Sequence, residues 1–371
     1  MKRRFRPANS RPNRMPPAPY RNALTELLPG RLPLRIQVTM FLQRGQVVQA
    51  PSLYASPSCV AGTAARAIAA LAAMTPLLLV LLPACSVPRS APGPFRVEVE
   101  QGKRGTATGD SVAYALYLPV PSERQPKPPY AAVILTHGFS RSYRVNEGNA
   151  RYLAERGIVV LTPNMSSLLA GRSAQERNAR NTADHVAWLA RRSVTHGDRV
   201  HGMVDPTRIG LAGHSAGGAV SFQAAVLSQA GPYPVAALCL LDAVPWHATL
   251  QAAPNLKPIP ACSLRAEPSA FNAWDSGQKL VDAVTFPIHD IRIRGASHVD
   301  PENPSTTAAG IVVGLSAERQ AIFTRLMYLF FQDALQVRSV ERPATNFQAM
   351  LAELGMARIS VGRASPDTSP R

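Results

Sequence analysis

Five residues of this chain, Gly213-His214-Ser215-Ala216-Gly217, set a serine between two glycines in the G-x-S-x-G pattern. The pattern is typical of a nucleophile on a sharp turn between a strand and a helix. Such a turn aims the serine hydroxyl away from the sheet, and side chains two positions before and after it would collide, so both places are glycine. An apolar stretch, Arg208–Ala212, precedes the pattern. Because a short pattern also arises by chance in an alanine-rich chain, Ser215 needs identifiable partners.

A serine hydroxyl is a weak nucleophile, so it needs a base to take its proton and a third group to orient that base. Among the eight histidines, His298 fits the base best. It follows the last apolar stretch, Ile288–Ile293, in a loop of small residues that would let it reach Ser215. His214 is too close to Ser215 in sequence to act as the base. His137 is expected to shape the loop that follows it, which is a candidate for binding the oxyanion of the reaction.

The orienting group should be a carboxylate, and two candidates stand at successive strand ends. Asp242 follows the apolar stretch Val235–Leu241 and is the preferred candidate. Glu267 follows the next stretch, Ile259–Leu264, and is the alternative acid. An aspartate in the position of Asp242 could also serve only as a helix cap or a turn residue.

Acyl transfer also needs N–H donors for the oxyanion that develops on the substrate. The N–H of Ala216, directly after the nucleophile, is one candidate. The second is the N–H of Phe139, in the turn that begins with His137-Gly138 after the apolar stretch Tyr130–Thr136. Nothing in this set of residues calls for a metal ion or an organic cofactor, so none is predicted.

Strand and helix patterns that could position these residues alternate from residue 95 onward. Continuous apolar strands between amphipathic helices predict an α/β fold, a mainly parallel central sheet flanked by helices. The site of such a sheet lies at the carboxyl ends of its strands, where Ser215, Asp242 and His298 fall. The predicted strands are 95–100, 111–120, 130–136, 158–162, 208–212, 235–241, 259–264 and 288–293. The predicted helices are 146–156, 177–194, 216–230, 276–284, 316–335 and 346–354.

The segment between Asp242 and the next predicted strand, 243–258, is too short to hold a large helical lid. An open cleft is therefore predicted, and it favours short-acyl or otherwise accessible substrates. Phe139, Trp246 and the pair Leu168-Leu169 are candidates for its apolar wall. Ordinary packing under the sheet edge is the alternative for Trp246.

The net charge of +17 raises the question of a nucleic-acid partner. More than half of this charge lies in the first 85 residues, and the excess of arginine over lysine is typical of a GC-rich genome. The sequence has no zinc-ligand spacing, helix-turn-helix pattern or aromatic stacking pattern to accompany it. No nucleic-acid partner is therefore predicted.

The N-terminal region has the composition of a leader. Its first part is rich in Arg and Pro and is interpreted as disordered or as sequence upstream of the true start. Arg66, an apolar run and small residues before Cys85 then follow the plan of a secretory signal. The ending Leu82-Pro83-Ala84-Cys85 resembles a bacterial lipobox, which would lipidate Cys85 and tether an exported chain to the membrane of the cell envelope. A plain signal peptide and an uncleaved anchor are the alternatives. The predicted organisation is 1–63 leader, 64–85 signal peptide, 86–94 linker, 95–335 catalytic domain and 336–371 C-terminal tail.

Together these residues resemble the α/β-hydrolase superfamily over about residues 95–335. The segment 204–210, which precedes the sequence Gly-His-Ser-Ala-Gly-Gly, is similar to the corresponding segment of the dienelactone-hydrolase and platelet-activating-factor-acetylhydrolase branch. Asp242 directly after its strand, and the acids that follow in His298-Val299-Asp300-Pro301-Glu302, resemble chlorophyllases and the acetylhydrolases. Polyester hydrolases share the pair Pro245-Trp246 but normally carry their acid one strand later. The resemblance implies a triad of Ser215, Asp242 and His298.

The function expected from this resemblance is hydrolysis of a carboxylic ester through an acyl-enzyme. The expected partner is a small-molecule or lipid-like ester, with membrane contact through the lipid at Cys85. One alternative is an amidase or peptidase with the same triad. The other is a catalytically inactive lipoprotein that acts as a binding module on the same fold.

Overall fold

A nine-stranded sheet forms the centre of the part of the chain that the structure describes. The computed structural model describes residues 95–167, 171–305, 314–338, 346–355 and 359–361. The predictions for the leader, the signal peptide, the linker and Cys85 lie outside these residues. The strands are β1 (Arg96–Gly105), β2 (Ser111–Val120), β3 (Tyr130–Thr136), β4 (Ile158–Pro163), β5 (Val204–His214), β6 (Ala237–Leu241), β7 (Ala261–Arg265), β8 (Pro287–Arg292) and β9 (Ile359–Val361).

The strands follow the spatial order β1-β2-β4-β3-β5-β6-β7-β8-β9. The run from β4 to β8 in this order is parallel throughout. β1 and β2 extend one edge in antiparallel fashion, and β9 pairs antiparallel with β8 at the other. The prediction of a mainly parallel sheet is confirmed. Its sequence signal is the continuous burial of the central strands, of which β3 and β4 are buried at every residue.

Helices cover both faces of this sheet. Successive side chains of β3 point to opposite faces, so that Ile134 joins one apolar core and Val133 the other. The helices in the described residues are α1 (Glu147–Ala154), α2 (Arg172–Val194), α3 (Ala216–Ser228), α4 (His247–Ala252), α5 (Gly277–Ala283), α6 (Ala317–Ala334) and α7 (Phe347–Glu353). α2, α3 and α5 contribute to the first core, and α1, α6 and α7 contribute to the second.

The connection between β6 and β7 is short. It contains α4 and a single 3-10 turn, Ala253–Asn255, and no large lid. The prediction that the chain lacks a large lid in this connection is confirmed. None of the helices in the described ranges is both long and apolar enough to span a membrane.

The structure differs from the predicted elements mainly at their ends. α2 begins at Arg172, five residues before the predicted start, because its first turn has no apolar side chain larger than that of alanine and so carries no apolar period. Two elements follow residue 335, where the sequence predicts a tail. α7 was expected, and its Phe347 packs in the second core. β9 was not expected.

The register of the parallel strands brings the predicted site residues to one edge of the sheet. Thr136 of β3 is level with Gly213 of β5, and His214 of β5 is level with Leu241 of β6. The residues that follow these strands are therefore neighbours. They are His137, Ser215 and Asp242.

Candidate active site

Ser215 occupies a strained turn between β5 and α3. Its backbone angles are φ 56° and ψ −122°, in a region that residues with a side chain rarely adopt. A Cβ at Gly213 would collide with the backbone of Gly217, and a Cβ at Gly217 would collide with the carbonyl oxygen of His137. These are the collisions that the G-x-S-x-G spacing predicts. An observed backbone outlier of this kind is typical of a functional site.

Two buried hydroxyl groups hold the turn from below. The hydroxyl of Thr136 lies 2.8 Å from the carbonyl oxygen of Gly217 and 2.8 Å from the hydroxyl of Ser221. Ser221 in turn donates to the carbonyl of Ala212 at 3.0 Å. These bonds tie the first turn of α3 to β3 and β5, so the strained geometry of Ser215 is supported by the surrounding backbone.

His298 lies directly over the serine. Its Nε2 is 2.9 Å from the hydroxyl oxygen of Ser215, and the base predicted from sequence is therefore within hydrogen-bond distance of the nucleophile. Nε2 of His214 donates to the backbone carbonyl of His298 at 2.7 Å. His214 thus fixes the loop that carries His298. Burial lowers the pKa of His214 well below its ordinary value, so its ring is neutral.

Asp242 meets the other side of the imidazole. Its Oδ2 lies 2.6 Å from Nδ1 of His298, and its Oδ1 accepts the N–H of Ala266 at 2.9 Å. Since the carboxylate accepts the Nδ1 proton, Nε2 is left free to accept the proton of Ser215. The alternative acid, Glu267, does not point to His298: its carboxylate accepts the N–H of Gly295 at 2.9 Å. The structure therefore brings together Ser215, His298 and Asp242.

The loop after β3 lies against the serine. A Cβ placed on Gly138 would be 3.3 Å from the Cβ of Ser215, so the backbone of this turn borders the nucleophile. Nε2 of His137 accepts the N–H of Met165 at 3.0 Å, which leaves Nδ1 to donate to the carbonyl of Gly138 at 2.8 Å. Burial lowers the pKa of His137 to about 4, and the neutral ring holds the turn in shape.

The two predicted oxyanion donors directly follow Ser215 and Gly138, which lie close together. Ala216 is the first residue of α3, and a helix N-terminus favours negative charge. Phe139 directly follows Gly138, and its side chain is about half exposed. Their roles as donors stay predictions.

The predicted pocket residues lie on segments that reach the serine. The N–H of Val244 donates to the carbonyl of Ser215 at 3.0 Å, and Trp246 follows two residues later, half-buried at the start of α4. Phe139 directly follows Gly138, whose backbone borders Ser215. Leu168 and Leu169 lie outside the described residues.

Two further polar residues near the site, Asn272 and Glu302, were not predicted to contact it. Asn272, on the loop after β7, donates from Nδ2 to the carboxylate of Asp242 at 3.2 Å. Glu302 is buried and accepts from Nε of Arg141 at 2.7 Å, which ties the His298 loop to the loop after β3. The only sequence signal for either was that Glu302 closely follows the histidine. Across the described ranges, no cluster of three or more His, Cys, Asp or Glu side chains could hold a metal ion.

Comparison with known families agrees with this architecture. The family model for chlorophyllase matches residues 95–271, a segment that includes Phe139, Ser215 and Asp242 and ends before His298. No curated protein matches the chain significantly. The resemblance to the chlorophyllase branch of the α/β-hydrolase superfamily is confirmed, and it supports a hydrolase of the α/β type.

Proposed function

We propose that this chain, an α/β-hydrolase similar to the chlorophyllases over residues 95–271, cleaves carboxylic esters with a catalytic triad of Ser215, His298 and Asp242. The observation that carries the proposal is the continuous path of hydrogen bonds from the hydroxyl of Ser215 through the ring of His298 to the carboxylate of Asp242. All three side chains are largely buried, which limits competition from water for these bonds.

The proposed reaction proceeds through an acyl-enzyme. His298 accepts the proton of Ser215 as the serine oxygen attacks the ester carbonyl, and the N–H groups of Ala216 and Phe139 stabilise the oxyanion. Protonated His298 then donates its proton to the departing alcohol. A water molecule, activated by the same ring, releases the acid. Asp242 orients the ring and stabilises its positive charge throughout.

The surroundings of Ser215 favour an accessible ester. The short β6–β7 connection leaves the serine without a large helical cover on that side. Phe139 and Trp246 follow closely after residues that contact Ser215, and their apolar side chains would suit the acyl or alcohol part of a small or lipid-like ester. The reaction as proposed uses no metal ion or organic cofactor.

The proposal is tested by hydrolysis of p-nitrophenyl acetate and p-nitrophenyl butyrate by the full chain. Ser215→Ala should lower kcat by roughly a million-fold, as removal of the serine does in a comparable triad. Its melting temperature should change little, because the hydroxyl is the only group lost. A fluorophosphonate probe should label the wild-type chain and leave Ser215→Ala unlabelled.

Other outcomes of the same assay identify the alternatives. Turnover of p-nitroanilide substrates in preference to the esters would indicate an amidase or peptidase. Absence of both turnover and labelling would indicate a binding module on a hydrolase fold, and the proposed ester hydrolysis would be wrong.

The signal-like segment supports a second proposal, that the chain is exported and tethered to the membrane through a lipid on Cys85. The observation that supports this second proposal is the sequence Leu82-Pro83-Ala84-Cys85 after an apolar run. Palmitate incorporation in a bacterial host should be lost in Cys85→Ala. Incorporation that persists in this variant, or is absent from the wild type, would contradict lipidation at Cys85.

A further inference from the structure

The side-chain amide of Asn272 is buried, and both its oxygen and its nitrogen have defined hydrogen-bond partners. It is 1% exposed and lies on the loop between β7 and α5. Its Oδ1 accepts the backbone N–H groups of Ser269 at 2.8 Å and Asp275 at 3.0 Å. Because N–H groups only donate, these two bonds fix which end of the amide is oxygen. The Nδ2 group is thereby turned toward Asp242.

The Nδ2 group bridges two acceptors. It lies 3.2 Å from Oδ2 and 3.4 Å from Oδ1 of Asp242, and it donates to the carbonyl of Glu267 at 2.9 Å. Asn272 and the N–H of Ala266 are therefore the neutral donors that the described residues place on this carboxylate. The remaining partner of Asp242 is Nδ1 of His298.

The backbone beyond Asn272 is anchored at its far end. Ala273, Trp274 and Asp275 have φ values of 49°, 56° and 64°, a left-handed run that residues with side chains rarely adopt. The carboxylate of Asp275 pairs with Arg265 and Arg292, and Arg265 also makes two bonds to Asp290, at 2.6 and 2.7 Å. The amide of Asn272 therefore projects from a turn that is held on both sides.

We propose that Asn272 is a positioning residue of the triad, which acts through Asp242 rather than on the substrate. Its amide holds the carboxylate in the rotamer that presents Oδ2 to Nδ1 of His298. An amide suits this role because it donates without adding charge, so the carboxylate keeps its full negative charge for the protonated ring. The inference rests on the proposed function, since it assigns a role within that triad.

A double-mutant cycle separates positioning from general support of the fold. Asn272→Ala in the wild-type background should lower kcat for p-nitrophenyl butyrate by about 10- to 100-fold, within the range measured for contacting residues. KM should stay within about two-fold, because the amide does not touch the substrate. In the Asp242→Ala background the same change should lower kcat by less than about two-fold, since the group through which Asn272 acts is gone.

One further variant serves as a control, and another replaces Asn272→Ala if that variant does not fold. Ser269→Ala disturbs the same turn without removing a group that touches Asp242. The hydroxyl lies 3.4 Å from Oδ1 of Asn272 and forms a capping box with the Asn272 backbone N–H, and kcat should be close to wild type. If Asn272→Ala fails to fold, Asn272→Ser takes its place. Its hydroxyl can still accept a local backbone N–H but is too short to reach Asp242.

The outcomes that overturn the inference differ from those that overturn the proposed function. An active wild-type chain in which Asn272→Ala lowers kcat by the same factor in both backgrounds would make Asn272 a support of the fold only. An unchanged kcat in the wild-type background would also contradict the positioning role. A wild-type chain that neither turns over esters nor reacts with the fluorophosphonate would overturn the triad itself, and this inference with it.

Discussion

Asp242 is the residue on which the geometry of the candidate triad depends. Its carboxylate receives hydrogen bonds from the His298 ring, the Ala266 N–H and the Asn272 amide. A carboxylate in this position keeps the imidazole in the tautomer whose Nε2 can accept the serine proton. Asp242→Asn should therefore lower kcat for p-nitrophenyl butyrate by about 10⁴-fold, because the amide favours the wrong tautomer.

Glu267→Gln is the matched control for this change. Its amide oxygen can still accept the N–H of Gly295, which is the bond the carboxylate makes in the structure. When both variants are compared in steady-state assays, Glu267→Gln should keep a kcat close to wild type, whereas Asp242→Asn should not. The reverse pattern, in which Glu267→Gln inactivates and Asp242→Asn does not, would make Glu267 the orienting acid.

The positions of single candidate residues could be predicted from the sequence when the residue lies at the end of a strand. Ser215 and Asp242 directly follow apolar strands, and parallel strands bring their carboxyl ends to one edge. His298 could be predicted as the base because it lies in a loop of small residues directly after β8. Asn272 could not be found in this way, because its contact with Asp242 depends on three successive left-handed residues that have no glycine to signal them.

At the scale of elements, the loop after β3 must pack on the turn that carries Ser215. A Cβ on Gly138 would lie 3.2 Å from Nδ1 of His214 and 3.3 Å from the Cβ of Ser215, closer than most real contacts of a methyl group. Gly138→Ala should push the turn away by a few tenths of an ångström and displace the predicted oxyanion donor at Phe139. We expect kcat to fall by about 10- to 100-fold in ester hydrolysis, with a small change in KM.

Gly105→Ala provides the comparison for Gly138→Ala. Gly105 ends β1, and a Cβ there would meet no atom within 4 Å. This variant should retain wild-type kcat. If Gly138→Ala is equally active, the turn has room to move without affecting the reaction, and its proposed role in holding the oxyanion is wrong.

Elements with a local sequence signal were predicted. Elements that are too short to carry such a signal, or that depend on distant partners, were not. The central strands are continuous apolar runs, so their burial on both faces can be read directly. α4 is a six-residue helix, too short for a helical period to appear. β9 is three residues long in a polar region, and it is defined by its pairing with β8, about 70 positions earlier in the sequence.

At the scale of the whole molecule, three deeply buried histidines link folding to pH. Burial lowers the pKa of His137 to about 4 and that of His185 to about 3, and it lowers the pKa of His214 well below the ordinary value of 6.5. All three are therefore neutral in the folded chain at pH 5 to 7. In the unfolded chain each would take up a proton as the pH falls below about 6.5.

Because the unfolded chain binds more protons in this range, the free energy of unfolding should decrease as the pH falls from about 6.5 to about 5. Each histidine contributes a slope that approaches about 1.4 kcal/mol per pH unit. Carboxyl groups, with ordinary pKa values of 3.8 to 4.5, titrate mainly below this window.

Urea unfolding at several pH values measures the slope. Burial also lowers the pKa of His289, so His185→Gln, whose amide oxygen can accept the bond from Arg104, should reduce the slope by about one quarter to one third. A slope near zero in the wild-type chain would mean that these rings do not stay neutral on folding.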